Sequence, residues 1–396
     1  MSHYILLNRI QVQGANAVAG FTWGFPAITH FLGYTHHLSR KLSSHQDFAD
    51  ISLKGCAVIA HQHRVHTYDF NQFVQSKNPA YQYREQAKYK VGSPPVIEEG
   101  KMDLTVSLLI EYEGEIATRH ETFIQWLDKA CQRQRLAGGS ILNIADIELF
   151  TVDDEQDIKP LRRLIRKLLP GFVLLNRSSY LEKHFHTLQT QNENAELFDA
   201  WLDFIALKQK TRPVCHLIDQ YLLKQAEADP EICQPLLEQW QTHLEQPYSP
   251  ETIPEIVKSH FAELPENKST KKLLIQWQEY CNPTEKTNVI WEYINKPMAG
   301  FLVPLMVGYK AISDVYKNEE VANTRDNETD VCFVEAVHSI GEWQGIHHIK
   351  NEQALSQVIW HYQYENNWYL CKQNDNALEA GTPSEIQIQA SDDDWS

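Results

Sequence analysis

The spacing at which apolar residues recur changes several times along the first half of the chain. Residues 4–12 predict a strand, with Tyr4, Leu6, Asn8, Ile10 and Val12 on one face and Ile5, Leu7, Arg9 and Gln11 on the other. Apolar residues between positions 28 and 38 recur at helical spacing and predict a helix of about four turns. Similar patterns predict the remaining elements: strands at 56–60, 104–112 and 146–152, and a second helix at 123–131.

The predicted order β-α-β-β-α-β is typical of ferredoxin-like or RNA-recognition-type domains. The sheet face of such domains is a common platform for single-stranded RNA. We therefore predict an α+β domain of this type over residues 1–206.

The pattern changes in the second half of the chain. Short amphipathic stretches separated by prolines occupy residues 213–294 and predict an inserted α-helical subdomain at 207–290. Residues 291–373 are expected to return to the first domain. The last segment, 374–396, is acidic and lacks apolar periodicity, so we predict that it is disordered.

The formal net charge of −16 is unevenly distributed. Residues 1–192 contain 21 Lys and Arg against 19 Asp and Glu, whereas residues 193–300 contain 10 against 17 and residues 301–396 contain 5 against 16. The first half is therefore close to neutral and can form a local phosphate-binding surface.

Several classes of protein are not indicated by the sequence. The seven cysteines are dispersed and form no C-x-x-C pair, so we predict neither a metal site nor disulfide bonds, and we expect a reducing cytoplasm. No run of eighteen apolar residues predicts a membrane span. No nucleotide-binding, zinc-protease or hydrolase motif occurs, and we predict no cofactor.

The strongest cationic feature is the stretch 161–169. On a helix its apolar residues form one stripe, and the opposite side carries Arg162, Arg163, Arg166 and Lys167. Like charges at this spacing repel one another unless phosphate neutralises them. We predict an RNA contact here, and the alternative is an ordinary solvated helix face.

A second cluster consists of Arg133, Arg135, Gly138, Gly139 and Ser140. Glycines leave backbone N–H groups free to approach a phosphate, and the two arginines precede them by about one turn. A Gly-Gly turn is also common without any ligand. We predict RNA contacts at these five residues and expect them to share one surface with the cationic helix.

Cations also alternate with aromatic residues in the irregular stretch 64–90. Arg64, Arg84, Lys88 and Lys90 are interleaved with tyrosines and phenylalanines, which is typical of segments that follow a phosphate backbone and stack on bases. A mobile surface loop is the alternative. With Arg9 on the first strand, these residues complete the predicted RNA-binding set.

Histidines offer a different hypothesis. His61 and His63 fall on one face of a predicted strand, and two histidines can cleave RNA without a metal when one accepts and the other donates a proton. Most histidines in such places are surface or hydrogen-bonding groups. We therefore predict no catalytic residue and keep a metal-independent endoribonuclease as the alternative function.

Ordered short motifs across the chain carry a resemblance to a known family. They include Asn16-Ala17, residues 21–27 (FTWGFPA), 31–33 (FLG), 96–100 (VIEEG), 135–141 (RLAGGSI), Arg162-Arg163, 168–171 (LLPG), 302–304 (LVP), 308–309 (GY), 325–326 (RD), 333–335 (FVE) and 341–343 (GEW). Together they resemble the Cas-five-type subunit of the type I-F CRISPR (Csy) surveillance complex, within the repeat-associated RNA-binding superfamily.

The resemblance implies a non-catalytic subunit that caps the five-prime handle of CRISPR RNA and supports antiviral defence. It implies backbone subunits as partners, a large subunit where one exists, and target DNA reached through the complex. It also implies that residues 64–100 form a thumb-like extension.

The helical block departs from the family because it is longer than the usual connector. The resemblance to a streamlined variant implies that it contacts target DNA or its protospacer-adjacent motif. The candidate residues are Lys208, Lys210, Arg212, Lys268, Lys271 and Lys272. A docking surface for another subunit is the alternative, and the net charge of −7 over residues 193–300 disfavours broad duplex binding.

Overall fold

The computed structural model describes residues 2–20, 22–67, 99–116, 118–153, 158–324, 326 and 328–374, together with the backbone at 68, 72–73, 75–77, 83–84, 91–92, 96–98 and 117. The chain divides into two compact units. The first comprises residues up to Phe204 and those from Met298 onward, and the second comprises Ile205–Pro297. The predicted disorder of residues 374–396 concerns a segment that, apart from Asn374, lies outside the described residues.

The N-terminal part of the first unit begins with strands and ends with helices. In chain order its elements are β1 (Ser2–Asn16), β2 (Val18–Ala19), β3 (Thr22–Trp23), α1 (Ile28–Ser43), β4 (Ser52–Val65), β5 (Thr67–Tyr68), β6 (Gln72–Phe73), β7 (Gln75–Lys77), β8 (Tyr83–Arg84), β9 (Val91–Gly92), β10 (Val96–Glu98), β11 (Lys101–Glu113), α2 (His120–Gln132), β12 (Arg135–Leu136), β13 (Gly139–Asn143), β14 (Asp146–Val152), α3 (Lys159–Leu168), β15 (Phe172–Asn176), α4 (Ser178–Gln191) and α5 (Leu197–Ile205).

An antiparallel sheet forms the centre of this unit. Its strands lie in the order β14-β1-β11-β4, because β1 pairs with β11 on one side and with β14 on the other, and β11 also pairs with β4. Each of the four predicted strands and both predicted helices lies within one of these elements. The prediction of a chain that mixes helices and strands is therefore confirmed.

Helices cover both faces of the central sheet. Leu7 and Val58 belong to a core formed with α1 and α2, whereas Leu6 and Ala57, their neighbours in sequence, pack with α3 on the opposite face. The two cores are separate because successive side chains on a strand point to opposite faces. The face without α1 and α2 is therefore also covered by helices, and it offers no open sheet of the kind that commonly binds single-stranded RNA.

The C-terminal residues of the first unit widen the sheet. They form β18 (Leu302–Ala311), β19 (Val334–Gly345), α10 (Glu352–Gln357), β20 (His361–Glu365) and β21 (Trp368–Lys372). Beyond β4 the strand order continues β15-β19-β18-β21-β20. The fully buried Trp360 anchors this extension, since its indole N–H donates to the carbonyl of Leu174 at 3.0 Å and its backbone pairs with Cys56.

The second unit is a group of helices closed by a two-stranded ribbon. Its elements are β16 (Gln209–Pro213), α6 (His216–Ala228), α7 (Pro230–Glu245), α8 (Glu255–Glu263), α9 (Lys271–Cys281) and β17 (Val289–Tyr293), with β16 antiparallel to β17. Its core contains Trp240, Trp277 and Tyr280. Pro230 occupies the first turn of α7, where a missing N–H costs little. Among the described residues, no helix has the length and apolar character needed to cross a bilayer.

Candidate nucleic-acid interface

Helix α3 carries the predicted cationic face. Leu161, Leu164 and Leu168 are buried, and they hold the opposite side of the helix outward. We call Arg162, Arg163, Arg166 and Lys167 on that side the α3 basic face. All four residues are exposed or half-buried, so their charges are close enough to solvent to meet a ligand.

Two of these cations have acidic partners on β14. Arg163 Nη2 lies 2.7 Å from Glu148 Oε2, and Lys167 Nζ lies 2.6 Å from Asp146 Oδ2 and also contacts Glu148. The hydrogen bond from Lys167 to Asp146 raises the pKa of the ammonium group. These pairs reduce the positive charge that the α3 basic face offers to phosphate. Arg162 and Arg166 are both exposed, and Arg166 Nε donates to the carbonyl of Arg162 at 3.3 Å.

A polar network lies beyond the C-terminus of α3. Arg9 has a φ of 49° where the pairing of β1 with β11 shifts register, and its Nη2 donates to the carbonyl of Leu169 at 2.9 Å. The backbone N–H of Arg9 donates to Ser107 Oγ at 2.9 Å. A cation at a helix C-terminus is favoured by the helix dipole. Arg9 therefore has a structural contact in addition to its predicted contact with RNA.

His61 belongs to the same network. The carbonyl of Pro170 accepts from its Nδ1 at 2.7 Å, and its Nε2 lies 2.7 Å from Ser107 Oγ. Burial, together with the charge of Arg9, lowers the pKa of His61. Both ring nitrogens are thus engaged within the protein. His63, two positions along β4, is exposed.

The His61 environment predicts a loss of stability in mild acid. The unfolded ring titrates near pH 6.5, and the folded ring binds its proton less tightly. The contribution of His61 to the free energy of unfolding is therefore complete above pH 6.5, the pKa of the unfolded ring. It is lost as the pH falls from that value towards the lower pKa of the folded ring. We expect the urea midpoint of the chain to fall between about pH 7.5 and 5.5. His61→Asn, which keeps a donor near Pro170, should make this fall smaller. An unchanged pH dependence in the variant would contradict the assignment.

The second predicted cluster lines a polar concavity on α1. Lys41 and His37 of α1 face Arg133, Arg135 and the Gly138 turn across a cavity of about 380 Å³. None of the described residues that line this cavity is acidic. We call these five residues the α1 cradle. Two arginines, a lysine and an exposed backbone turn suit a phosphate group.

The α1 residues of the cradle were not predicted. His30, Tyr34, His37 and Lys41 all line the cavity and recur at helical spacing along one side of α1. That stripe was visible in the sequence as a repeat with period 3.6. The sequence could not show that this stripe lies close to Arg133, because that proximity depends on the pairing of β13 with β1.

The two glycines of the predicted cluster have different roles. Gly138 is exposed at φ 78°, in the turn between β12 and β13. Gly139 is buried in β13, where a Cβ would lie 2.7 Å from Ala15 N and 2.8 Å from Gln13 O. Its predicted phosphate contact is corrected, because the lack of a side chain serves close packing against β1. Ser140 is exposed and pairs with Gln13.

The α3 basic face and the α1 cradle do not form one surface. Helix α3 packs on the face of the sheet opposite to α1 and α2, and the cradle lies on the α1 side. Both nevertheless border the same margin of the central sheet, since β13 and β14 pair with successive parts of β1. The expectation of a single pooled surface is therefore corrected to two basic sites that flank one sheet margin.

The predicted cations of the thumb-like extension are only partly described. Arg64 is exposed on β4 near the carboxylate of Asp103, which also accepts from Gly14 N–H at 2.9 Å and pairs with His66. Lys88, Lys90 and the side chain of Arg84 lie outside the described residues.

The candidate DNA-binding residues of the second unit fall into two groups. Arg212 is 1% exposed, and its guanidinium pairs with Glu292 at 2.5 Å and donates to Tyr280 Oη and the carbonyls of Leu244 and Gln246. This arrangement corrects its predicted DNA contact to a structural role. The other candidates are exposed: Lys208, Lys210, Lys268, Lys271 and Lys272.

Comparison with known proteins gives the family. The model of the family described as "CRISPR-associated protein (Cas_Csy2)" matches residues 5–217 and 250–371. The chain belongs to the Csy2 family. It is also 28% identical over 374 residues to the CRISPR-associated protein Csy2 of Pseudomonas aeruginosa (strain UCBPP-PA14), with 91% of each chain covered.

The Csy2 family match contains one internal gap. Residues 218–249 are not matched, and they include most of α6 and the whole of α7 in the second unit. The cradle residues and the α3 basic face all fall inside the matched segments. The candidate interface thus lies in the part that this chain shares with other Csy2 proteins.

Proposed function

We propose that this Csy2-family chain is a non-catalytic, RNA-binding subunit of a type I-F CRISPR surveillance complex. In this proposal it caps the five-prime handle of CRISPR RNA and contacts backbone subunits, and a large subunit where one exists. The observation that carries the proposal is the α1 cradle, a concavity whose described lining residues include no acid in a chain of net charge −16.

The strand order supports the RNA-recognition part of this proposal. The β-α-β-β-α-β succession with β1 between β11 and β14 is the one expected of a ferredoxin-like domain. Because α3 and α10 cover the sheet face opposite α1, this proposal places the RNA on the α1 side or at the sheet margin. Phosphate contacts there position a strand without reading its sequence.

The engaged ring of His61 argues for binding without cleavage. A general base must be free to accept a proton from the 2′-hydroxyl group, and here both nitrogens of His61 have partners in the protein. We expect the purified chain to bind repeat RNA from the host's CRISPR array in the presence of a chelator and to leave it intact. Specific cleavage that disappears in His63→Ala would favour the endoribonuclease alternative instead.

The α3 basic face should make a smaller contribution than the cradle. We expect Arg162→Glu with Arg166→Glu to weaken binding of repeat RNA about tenfold, because two phosphate contacts are replaced by repulsion. Filter binding at constant salt measures this. The matched control reverses two exposed lysines, Lys183 and Lys350, with the same change in net charge. Equal losses in both variants would show a general charge effect and would remove α3 from the interface.

For the second unit, we propose a contact with target DNA or with another subunit. The exposed lysines 208, 210, 268, 271 and 272 support the first reading, and the exposed aromatic residues Trp291 and Tyr293 on β17 are compatible with both. Crosslinking of this unit to target duplex within the assembled complex would select DNA, and crosslinking only to protein would select docking.

A further inference from the structure

A second cavity opens on the same side of the sheet as the α1 cradle. It has a volume of about 530 Å³, within the range of about 300–1,000 Å³ that small-molecule sites occupy. Its walls come from the segment before α1 and from β4, β15, β18 and β19. The residues of the α1 cradle and of the α3 basic face do not line this cavity.

The cavity is walled by exposed aromatic rings. Trp23, Phe172 and Phe301 all line it, and their exposed fractions are 47%, 53% and 69%. Trp343 is half-buried at the wall, where Phe25 packs edge-on against it with ring centroids 4.7 Å apart. Exposed aromatic residues gathered around one concavity mark a binding site more often than a chance surface.

The rim of the cavity adds a polar side chain and the start of a helix. His63 of β4 is exposed and lines the cavity, and it pairs across the sheet with Leu104, which belongs to the core formed with α1. Helix α1 begins directly after the lining residues Pro26 and Ala27 and has no acidic residue in its first turn. The positive end of its dipole therefore favours an anion beside the aromatic walls.

We propose that this cavity is a base-binding pocket that takes one unstacked nucleobase of single-stranded RNA. The base stacks on the faces of Trp23 and Phe301, and His63 at the rim bonds to its polar edge. The inference rests on the proposed RNA-binding function and deepens it, because it adds a base contact to the phosphate contacts of the α1 cradle.

The geometry allows one strand to reach both sites. From β13, which borders the cradle, to β4, which borders the pocket, the sheet crosses three strand spacings of about 4.8 Å. A span of about 15 Å is therefore covered by a few nucleotides of extended single strand.

A nucleobase fits these features better than an apolar side chain from a partner protein. A planar base can stack against the rings and also bond to His63, whereas an aliphatic side chain offers that imidazole no hydrogen bond. The adjoining N-terminus of α1 attracts the phosphate that every nucleotide carries. A partner protein's side chain remains the rival outcome of the test.

The test combines a protein variant with a change in the RNA. The full chain is titrated with host repeat RNA in which single positions are made abasic in turn. We expect one position at which the abasic RNA binds the wild-type chain about tenfold more weakly, as for the loss of one stacked base. In Phe301→Leu with Trp23→Leu, unmodified RNA should bind about tenfold more weakly, and the same abasic position should cost nothing further.

Tyr364→Leu is the matched control, because Tyr364 is also 69% exposed but does not line the cavity. It should bind like the wild-type chain. Suppose that the wild-type chain binds RNA, but every abasic position weakens binding equally in the wild-type chain and in the Trp23 and Phe301 variant. That result would overturn the pocket and leave the proposed function intact. Normal RNA binding by the pocket variant, with loss of assembly with partner subunits, would assign the cavity to protein docking. Failure of the wild-type chain to bind repeat RNA would overturn the function and the pocket together.

Discussion

Reversal of Lys41, Arg133 and Arg135 to glutamate is expected to weaken binding of repeat RNA about 100-fold or more at physiological salt. The three side chains line one concavity, and none of the described residues that line it is acidic. Three carboxylates in their place would repel the phosphate that the cavity attracts. The effect should exceed that of the α3 basic face, where Arg163 and Lys167 already have acidic partners.

The dependence on salt distinguishes lost contacts from misfolding. Each phosphate contact to a single strand contributes about −0.7 to the slope of log K against log salt, so three lost contacts should make the slope shallower by about 2. A control variant with the same change in net charge reverses Arg40, Lys54 and Lys129, which are exposed and do not line the cradle. A similar loss of affinity and slope in the control would contradict the cradle as the phosphate site.

Local periodicity predicted elements well because each element depends on its own side chains. The stripe of Leu161, Leu164 and Leu168 is buried as the helical pattern required. The acidic partners of Arg163 and Lys167 come from β14, some twenty residues earlier, and only the packing of α3 on that strand brings them together. The sequence therefore predicted the cations of α3 but not their neutralisation.

Predictions failed mainly where the two faces of the sheet mattered. A strand with apolar residues on both sides, such as β1 with Leu6 and Leu7, signals helices on both faces. That signal was present, but the helix that covers the second face, α3, could not be placed from sequence. Consequently the α3 basic face and the α1 cradle, which were expected on one surface, lie on opposite sides of the sheet. Both border the margin that β13 and β14 form beside β1.

Gly138 and Gly139 show why residue type alone does not assign a role. Both were expected to expose N–H groups to phosphate. Gly138 meets no neighbouring atom within 4 Å of a hypothetical Cβ, whereas Gly139 would meet the backbone of β1. A turn glycine and a packing glycine differ only in what lies beside them, which requires the fold.

Arg212→Leu is expected to lower the free energy of unfolding of the second unit by about 3 kcal/mol, the lower end of the range for breaking a buried ion pair. The variant leaves the carboxylate of Glu292 without its partner. It also removes the donors to Tyr280 and to the carbonyls of Leu244 and Gln246. The lower end applies because Glu292 is one-third exposed and regains part of its hydration.

Urea unfolding of the full chain, followed through tryptophan fluorescence, measures the effect of Arg212→Leu, since Trp240 and Trp277 lie in the core of the second unit. Lys210→Leu is the matched control, because Lys210 is exposed on the same strand. It should leave the unfolding midpoint unchanged.

If Arg212→Leu kept wild-type stability but lost affinity for target duplex, the buried structural role would be wrong and the original prediction of a DNA contact would be restored. The geometry favours the structural role because a guanidinium that already donates to three oxygen atoms besides its carboxylate partner has little capacity left for phosphate.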